Sequence, residues 1–266
     1  MGAHEDLRSL VAGGAGSGAR ASRPPRGASA LDAWPDLPGE EGSALRRAAA
    51  VLVLFGVLDA VPARRVAGDG AAPVAADLDV LLLERASSLR AHAGEVAFPG
   101  GRLDPEDSGA VAAALREASE ETGLDTGGVE VLGELPPLPL PVSNHLVTPV
   151  LAWWASPGPV RVVDPAESAA VFRVPVADLL DPANRCTWVL DAPAVPLAPS
   201  GRRLASENEG VRAGGEGARR VRRRGPAFVV GDVLVWGFTA HVLDSVFDAV
   251  GWTEPWDRGR TMDVLR

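Results

Sequence analysis

Residues 100–124, GGRLDPEDSGAVAAALREASEETGL, set a Gly-Gly turn ahead of a segment that ends in three clustered acids, Glu117, Glu120 and Glu121. Val111, Leu115, Ala118 and Thr122 follow one another at helical spacing, which predicts a helix with a narrow, mostly apolar stripe. The alanines at 110, 112, 113 and 114 favour the helix and keep it slim enough for close packing. Asp107 or Ser108 is expected to cap its start, and Gly123 to supply the left-handed stop. Positions three and four apart on a helix share a face, so the three glutamates project the same way. Like charges so placed repel, and the usual fate of such a run is a solvated surface. The alternative is a hard cation, because Mg²⁺ and Mn²⁺ prefer oxygen ligands and bridge carboxylates to phosphates. Arg116, four residues before Glu120, can pair with that carboxylate and hold its orientation.

The stretch REASEETGL at 116–124 resembles the second half of the Nudix box, R-E-U-x-E-E-x-G-U with U aliphatic. Arg116, Glu117, Ala118, Glu120, Glu121, Gly123 and Leu124 fill its specified positions. The first half departs: five residues lead from Gly101 to Asp107, an aspartate where the box has glutamate. Eight more separate Asp107 from Arg116, one more than in the general pattern. Upstream, LLLERASSLRAHAGEVAFPGG at 81–101 resembles the signature of the coenzyme A pyrophosphatase branch, L-L-T-x-R-S/A-x3-R-x3-G-x3-F-P-G-G. Arg85, Ala86, Arg90, Gly94, Phe98, Pro99, Gly100 and Gly101 fall in register, and Leu83 replaces the threonine. The longer spacing before Arg116 is also familiar in that branch, and VWGFTA at 235–240 is similar to its Trp-Gly-x-Thr-Ala stretch.

The resemblance implies an α/β fold, a Nudix-type α/β/α sandwich with a mixed β-sheet. It implies Glu117, Glu120 and Glu121 as ligands of Mg²⁺ or Mn²⁺, and a catalytic role for Glu120, Glu121 and Arg116, the arginine orienting the carboxylates. The general base stays open between Glu120 and Glu121, with Glu95, Asp104 and Asp107 as weaker candidates. Arg85 and Arg90 are the phosphate-facing candidates, since guanidinium groups match phosphate oxygens. Gly100 and Gly101 are expected to bring the loop's backbone close to the metals and the substrate. The implied reaction is metal-dependent cleavage of the pyrophosphate of coenzyme A, or a derivative, to 3′,5′-ADP and 4′-phosphopantetheine. Two rivals compete: a Nudix hydrolase of another nucleoside diphosphate derivative such as ADP-ribose or a dinucleotide, and a non-catalytic nucleotide sensor.

The rest of the chain bounds this reading. With 266 residues, nearly half of them apolar, it is long enough for a substantial core. A net charge of −9 argues against nucleic acid as the main partner; the small nucleotide partner of coenzyme A type is what the resemblance implies. No apolar run is long enough to span a membrane, and MGAHEDLRSLVAGG lacks a signal-peptide core, so no membrane partner is expected. Cys186 is the sole cysteine, which fits a reducing, cytoplasmic setting and a buried structural thiol. His92 is placed to bond either the ligand or the protein, and the other histidines, His4, His145 and His241, show no metal-ligand spacing. One of Trp153 and Trp154 could stack on adenine while the other faces the core.

The polar composition of residues 1–43 predicts an extension with little regular structure, followed by a hydrolase domain over 44–256 and a C-terminal tail over 257–266. Within the domain, the arginine-rich 200–226 reads as a flexible, solvated insertion. Strands are expected at 49–57, 78–85, 129–136 and 145–155, and a strand with a short helix at 171–182. A hairpin turning at Gly231-Asp232 follows, and then an amphipathic helix at 239–252.

Overall fold

A computed structural model describes residues 2–14, 47–57, 74–88, 92–140, 144–193 and 220–264. The central strand is β1 (Arg47–Val57), whose apolar run AAVLVLF at 49–55 is buried on both faces apart from a partly exposed Val51. Along one edge it pairs in parallel with β7 (His145–Trp154), from Arg47↔His145 to Phe55↔Trp153. Its other edge is shared by two partners. β2 (Leu78–Arg85) pairs with the end of β1 through Phe55↔Val80, and β4 (Gly100–Arg102) pairs with its start through Ala50↔Gly101. Between them Leu52 N donates to the Pro99 carbonyl, so the FPGG segment is stitched into the middle of the sheet. The short β3 (Val96–Ala97) and β8 (Ser168–Pro175) flank β2, β8 running straight into the short helix α3 (Val176–Leu180), while β5 (Val129–Glu134) and β6 (Leu138–Leu140) pair with β7. The result is a mixed eight-stranded sheet.

Helices cover both faces. On one side α2 (Ala110–Thr122) packs Ala113, Ala114 and Ala118 against Leu52, Leu54, Leu81 and Val150. These small side chains let the helix lie close to the strands, as their sequence predicts. On the other side α4 (Gly237–Ala249) packs Val242, Leu243, Val246 and Phe247 against Phe55, Val80, Leu82 and Leu151. Alternate residues of β2 therefore face opposite layers: Leu81 points to α2, and Val80 and Leu82 to α4. The expected α/β/α sandwich is present, but α4 is not amphipathic in its setting, since every residue from Thr239 to Phe247 is buried. A second sheet closes over its outer side. That sheet orders β11 (Val233–Val235), β10 (Arg220–Val230), β9 (Arg185–Pro193) and β12 (Thr261–Asp263). Its buried Arg185 pairs with Asp244 of α4 and stacks over the rings of Phe228 and Trp256.

Four expectations change here. Residues 220–226, read as part of a solvated insertion, belong to β10, where Arg222 pairs with Asp191 and Arg224 with Val189 in register. Residues 194–219 lie outside the described residues. The tail at 257–266 contains β12, which joins β9 in parallel at Thr261↔Thr187. The extension contains α1 (Ala3–Gly14), docked by the fully buried Leu7, by Arg8 and His4 on Glu130, and by Asp6 on the indole Nε1 of Trp252. The rest of that extension, 15–43, also lies outside the described residues. Finally, α2 starts at Gly109, which has no side-chain cap; Asp107 is committed elsewhere, and neither it nor Ser108 is the cap. Gly123 ends the helix at φ 65, with its N–H on the Ser119 carbonyl, as expected of a left-handed stop.

Candidate active site

The acidic end of α2 meets the Gly100–Gly101 turn because β4 is pinned to β1 beneath it. Glu121 is buried, and its Oε2 accepts from Gly100 N at 2.9 Å. Burial pushes its carboxyl up to about 7, although the Gly100 N–H and Arg85 pull the other way. Glu117 lies directly against Gly101: a Cβ at 101 would overlap its carboxylate. Burial also raises the Glu117 carboxyl, with Arg116 opposing. Glu120 is exposed.

Arg116 organises the cluster. Its Nη1 donates to Glu117 Oε1 and Glu120 Oε2, both at 3.1 Å. Its Nη2 reaches Asp107 Oδ2 at 2.9 Å and the Arg102 carbonyl at 3.1 Å, and its Nε bonds Asp107 Oδ1 at 3.1 Å. The pairing with Glu120 read from the sequence is present, but the bidentate grip on Asp107 is the larger anchor. It holds the Asp107 carboxyl below its ordinary range. The aspartate that departs from the general box is thus the residue that locks the arginine. Arg116 thus supplies the counter-charge of the acidic face.

Among the described residues, no three His, Cys, Asp or Glu side chains stand together as a ready cation cage. Glu117 and Glu120 turn to Arg116, the adjacent positive charge. The donor set nevertheless fits a hard divalent ion: all three side chains offer carboxylate oxygens, and the burial of Glu117 and Glu121 leaves negative charge poorly solvated. The cradle is also tight. Gly101→Ala is expected to cost little stability, because the Glu117 carboxylate is a flexible end that can swing aside. Turnover should fall by about 100-fold, since displacing a reacting group by about 1 Å has that effect; paired melting and rate measurements check both halves.

Arg85, at the end of β2, is half-buried and electrostatically coupled to Glu121. Arg90 lies outside the described residues. Leu83 is buried in the sheet opposite Val171, a packing position. His92, at φ 57, bonds Glu95 through Nδ1 at 2.8 Å, which occupies one of the weaker base candidates. Asp107 is tied to Arg116 and Asp104 lies 3.6 Å from it, so neither is a free base. Trp154 packs in the α2 layer, and Trp153 is covered by α1, with the His4 ring 4.9 Å away, so the pair serves packing rather than an open stacking platform. His241 is buried, and burial drops its imidazole to about 4.

Residues 65–192 match the family model described as NUDIX domain. This segment, just under half of the chain, is similar to a NUDIX domain. Two curated relatives, both called "Uncharacterized Nudix hydrolase NudL", come from Photorhabdus laumondii and Escherichia coli K12. Each is 46% identical over 101 residues, 38% of this chain, covering 53% and 52% of their own lengths. The chain spans about half the length of the curated relatives it matches. Among solved structures, a C. elegans Ap4A hydrolase binary complex is similar at TM-score 0.36 and 21% identity, over 49% of this chain and 81% of that one. The NUDIX domain of Shewanella oneidensis NrtR with ADP ribose is similar at TM-score 0.37 and 22% identity, over 51% and 77%. Within the matched segment lie β2, the Gly-Gly turn and α2, and with them Arg85, Asp107, Arg116, Glu117, Glu120 and Glu121. The central strand β1 precedes the matched segment, and β10, α4 and β12 follow it. No described helix is long and apolar enough to cross a membrane.

Proposed function

We propose that the protein is a Mg²⁺- or Mn²⁺-dependent hydrolase that cleaves the pyrophosphate of coenzyme A or its derivatives. The observation that carries this reading is the placement of the segment 81–101. Its Arg85 acts on the Glu121 charge, and its Gly100 and Gly101 form the cradle for Glu121 and Glu117. In this reading the coenzyme A-like segment and the acidic helix form one site. Glu117, Glu120 and Glu121 would hold the metal, which supplies phosphate charge neutralisation and water activation when bound.

The chain's own groups complete the assignment. Arg116 orients Glu117 and Glu120 through Nη1 while Asp107 fixes its other edge. Arg85 binds a phosphate oxygen of the substrate. Water adds across the P–O–P bond, one phosphate leaving on 3′,5′-ADP and the other on 4′-phosphopantetheine. Glu121, with a carboxyl near 7, and the solvent-facing Glu120 remain the two candidates for the proton acceptor. The NudL relatives, named as Nudix hydrolases, support hydrolysis without naming a substrate.

Incubation with coenzyme A, ADP-ribose and diadenosine tetraphosphate in separate reactions, with products identified by mass spectrometry, tests the substrate. The expected result is 3′,5′-ADP from coenzyme A at the highest kcat/KM. Hydrolysis of ADP-ribose without hydrolysis of coenzyme A would overturn the assignment.

A further inference from the structure

The cross-strand neighbour of Arg85 has no assigned role. β8 carries one extra residue against β2: Glu84 pairs with Ala170, but Arg85 pairs with Ser168, so the bulge skips Ala169. Bulges re-aim side chains, and residues directly opposite each other share a face. Here the bulge sets the Ser168 side chain beside the row Leu81, Leu83, Arg85, the row that faces α2. Ser168 is 1% exposed, and its Oγ has no hydrogen-bond partner. Arg85 Nε is likewise buried and without a partner. The backbone around them is fully committed. Ala86 N donates to the Glu167 carbonyl, Ser168 N to that of Asp164, and Arg85 N to that of Glu95. Two unsatisfied polar atoms thus lie buried on facing residues, one an obligate donor and the other able to accept. Each carries a desolvation penalty that the other can relieve.

We propose that Ser168 is a positioning residue for Arg85. When a phosphate oxygen draws the terminal nitrogens of Arg85 into the site, Nε–H turns onto Ser168 Oγ, and the guanidinium is locked with its outer edge towards the ligand. This rests on the reading that Arg85 meets the substrate's diphosphate. Burial of Ser168 behind Arg85 suits a group that acts through the arginine and not on the substrate. Seating the guanidinium on Ser168 costs side-chain freedom that phosphate binding offsets.

The test is a double-mutant cycle of Ser168→Ala and Arg85→Ala, with Ser168→Thr as the conservative variant. KM and kcat are measured for coenzyme A and ADP-ribose, and melting temperatures without substrate. Ser168→Ala is expected to raise KM about tenfold with kcat nearly unchanged, an effect of the size of one lost charge-assisted hydrogen bond. Its melting temperature should equal or exceed wild type, since an unpartnered buried hydroxyl is removed. Ser168→Thr should restore KM, and Ser168→Ala should add nothing once Arg85 is alanine. Unchanged KM in Ser168→Ala, or the same increase in the Arg85→Ala background, overturns the proposal while leaving the phosphate role of Arg85 intact. Unchanged KM in Arg85→Ala overturns the underlying reading and the proposal with it, as does turnover of neither substrate. If only ADP-ribose turns over, the coenzyme A assignment fails and the cycle is decided on ADP-ribose.

Discussion

Glu121→Gln is expected to lower turnover by a factor on the order of 10²–10³ and, at the same time, to stabilise the metal-free protein. The first effect follows from losing a charged oxygen at the site proposed to hold a divalent cation against phosphate. The second follows from burial. Glu121 is buried, with its carboxyl raised from the ordinary 4.5 to about 7. A carboxyl raised in the folded state costs stability as it ionises, so the metal-free protein should weaken from about pH 4.5 to about pH 7. The size is ~3 kcal/mol. Glutamine keeps an acceptor for Gly100 N and removes the charge. Melting in chelator should therefore show Glu121→Gln above wild type at pH 8 and level with it near pH 4. Glu120→Gln, at an exposed position, should lose turnover with melting little changed. A Glu121→Gln variant that melts below wild type at pH 8, or keeps wild-type turnover, contradicts the role given to this carboxylate.

What could be read from the sequence follows how local the determining contacts are. Helix α2 was legible because its stripe, its glycine stop and the Arg116–Glu120 pair all lie within a few turns. The Gly100–Gly101 approach was legible as a turn, but not as the cradle of Glu117, because that needs β4 placed on β1. Asp107 was read as a cap or a weak base. Its bond to Arg116 spans a loop whose course the residue spacing does not give. The misread arginines of β10 have a different cause. Arg222 and Arg224 are exposed and held by pairing with β9, so no apolar alternation marks the strand. β12 likewise exists through its register with Thr187, and α1 through Leu7 docking near β5 and Trp252, distant contacts that leave little local pattern. Ser168 gave no signal at all, since a serine one residue past an unremarkable glutamate acquires meaning only when a bulge puts it opposite Arg85.

The second large expected effect lies away from the acidic helix, at Asp79. This residue is 2% exposed on β2, beside Gly56 of β1 and Pro175 of β8, and its Oδ1 has no hydrogen-bond partner. Burial raises its carboxyl from the ordinary 3.8 to about 6; Arg173 opposes this, and Asp77 and Asp178 reinforce it. A folded-state value above the unfolded one means that the folded protein binds the extra proton. Its stabilising effect is present below about pH 4 and is lost as pH rises through about 6. The loss is ~2–3 kcal/mol, several degrees in melting temperature for a chain of this size. In Asp79→Asn that dependence disappears. The stability difference between variant and wild type should therefore grow in the variant's favour between pH 4 and pH 7, whatever the amide itself costs. Denaturant titrations at pH 4, 5, 6 and 7 measure it, and parallel curves for the two proteins would show that Asp79 does not titrate across this range. Turnover at pH 8 should be unaffected, because Asp79 stands at the opposite end of the strand from Arg85. A buried charge near the core and a buried charge at the acidic helix would then be separable: both lower stability, and only Glu121 is needed for hydrolysis.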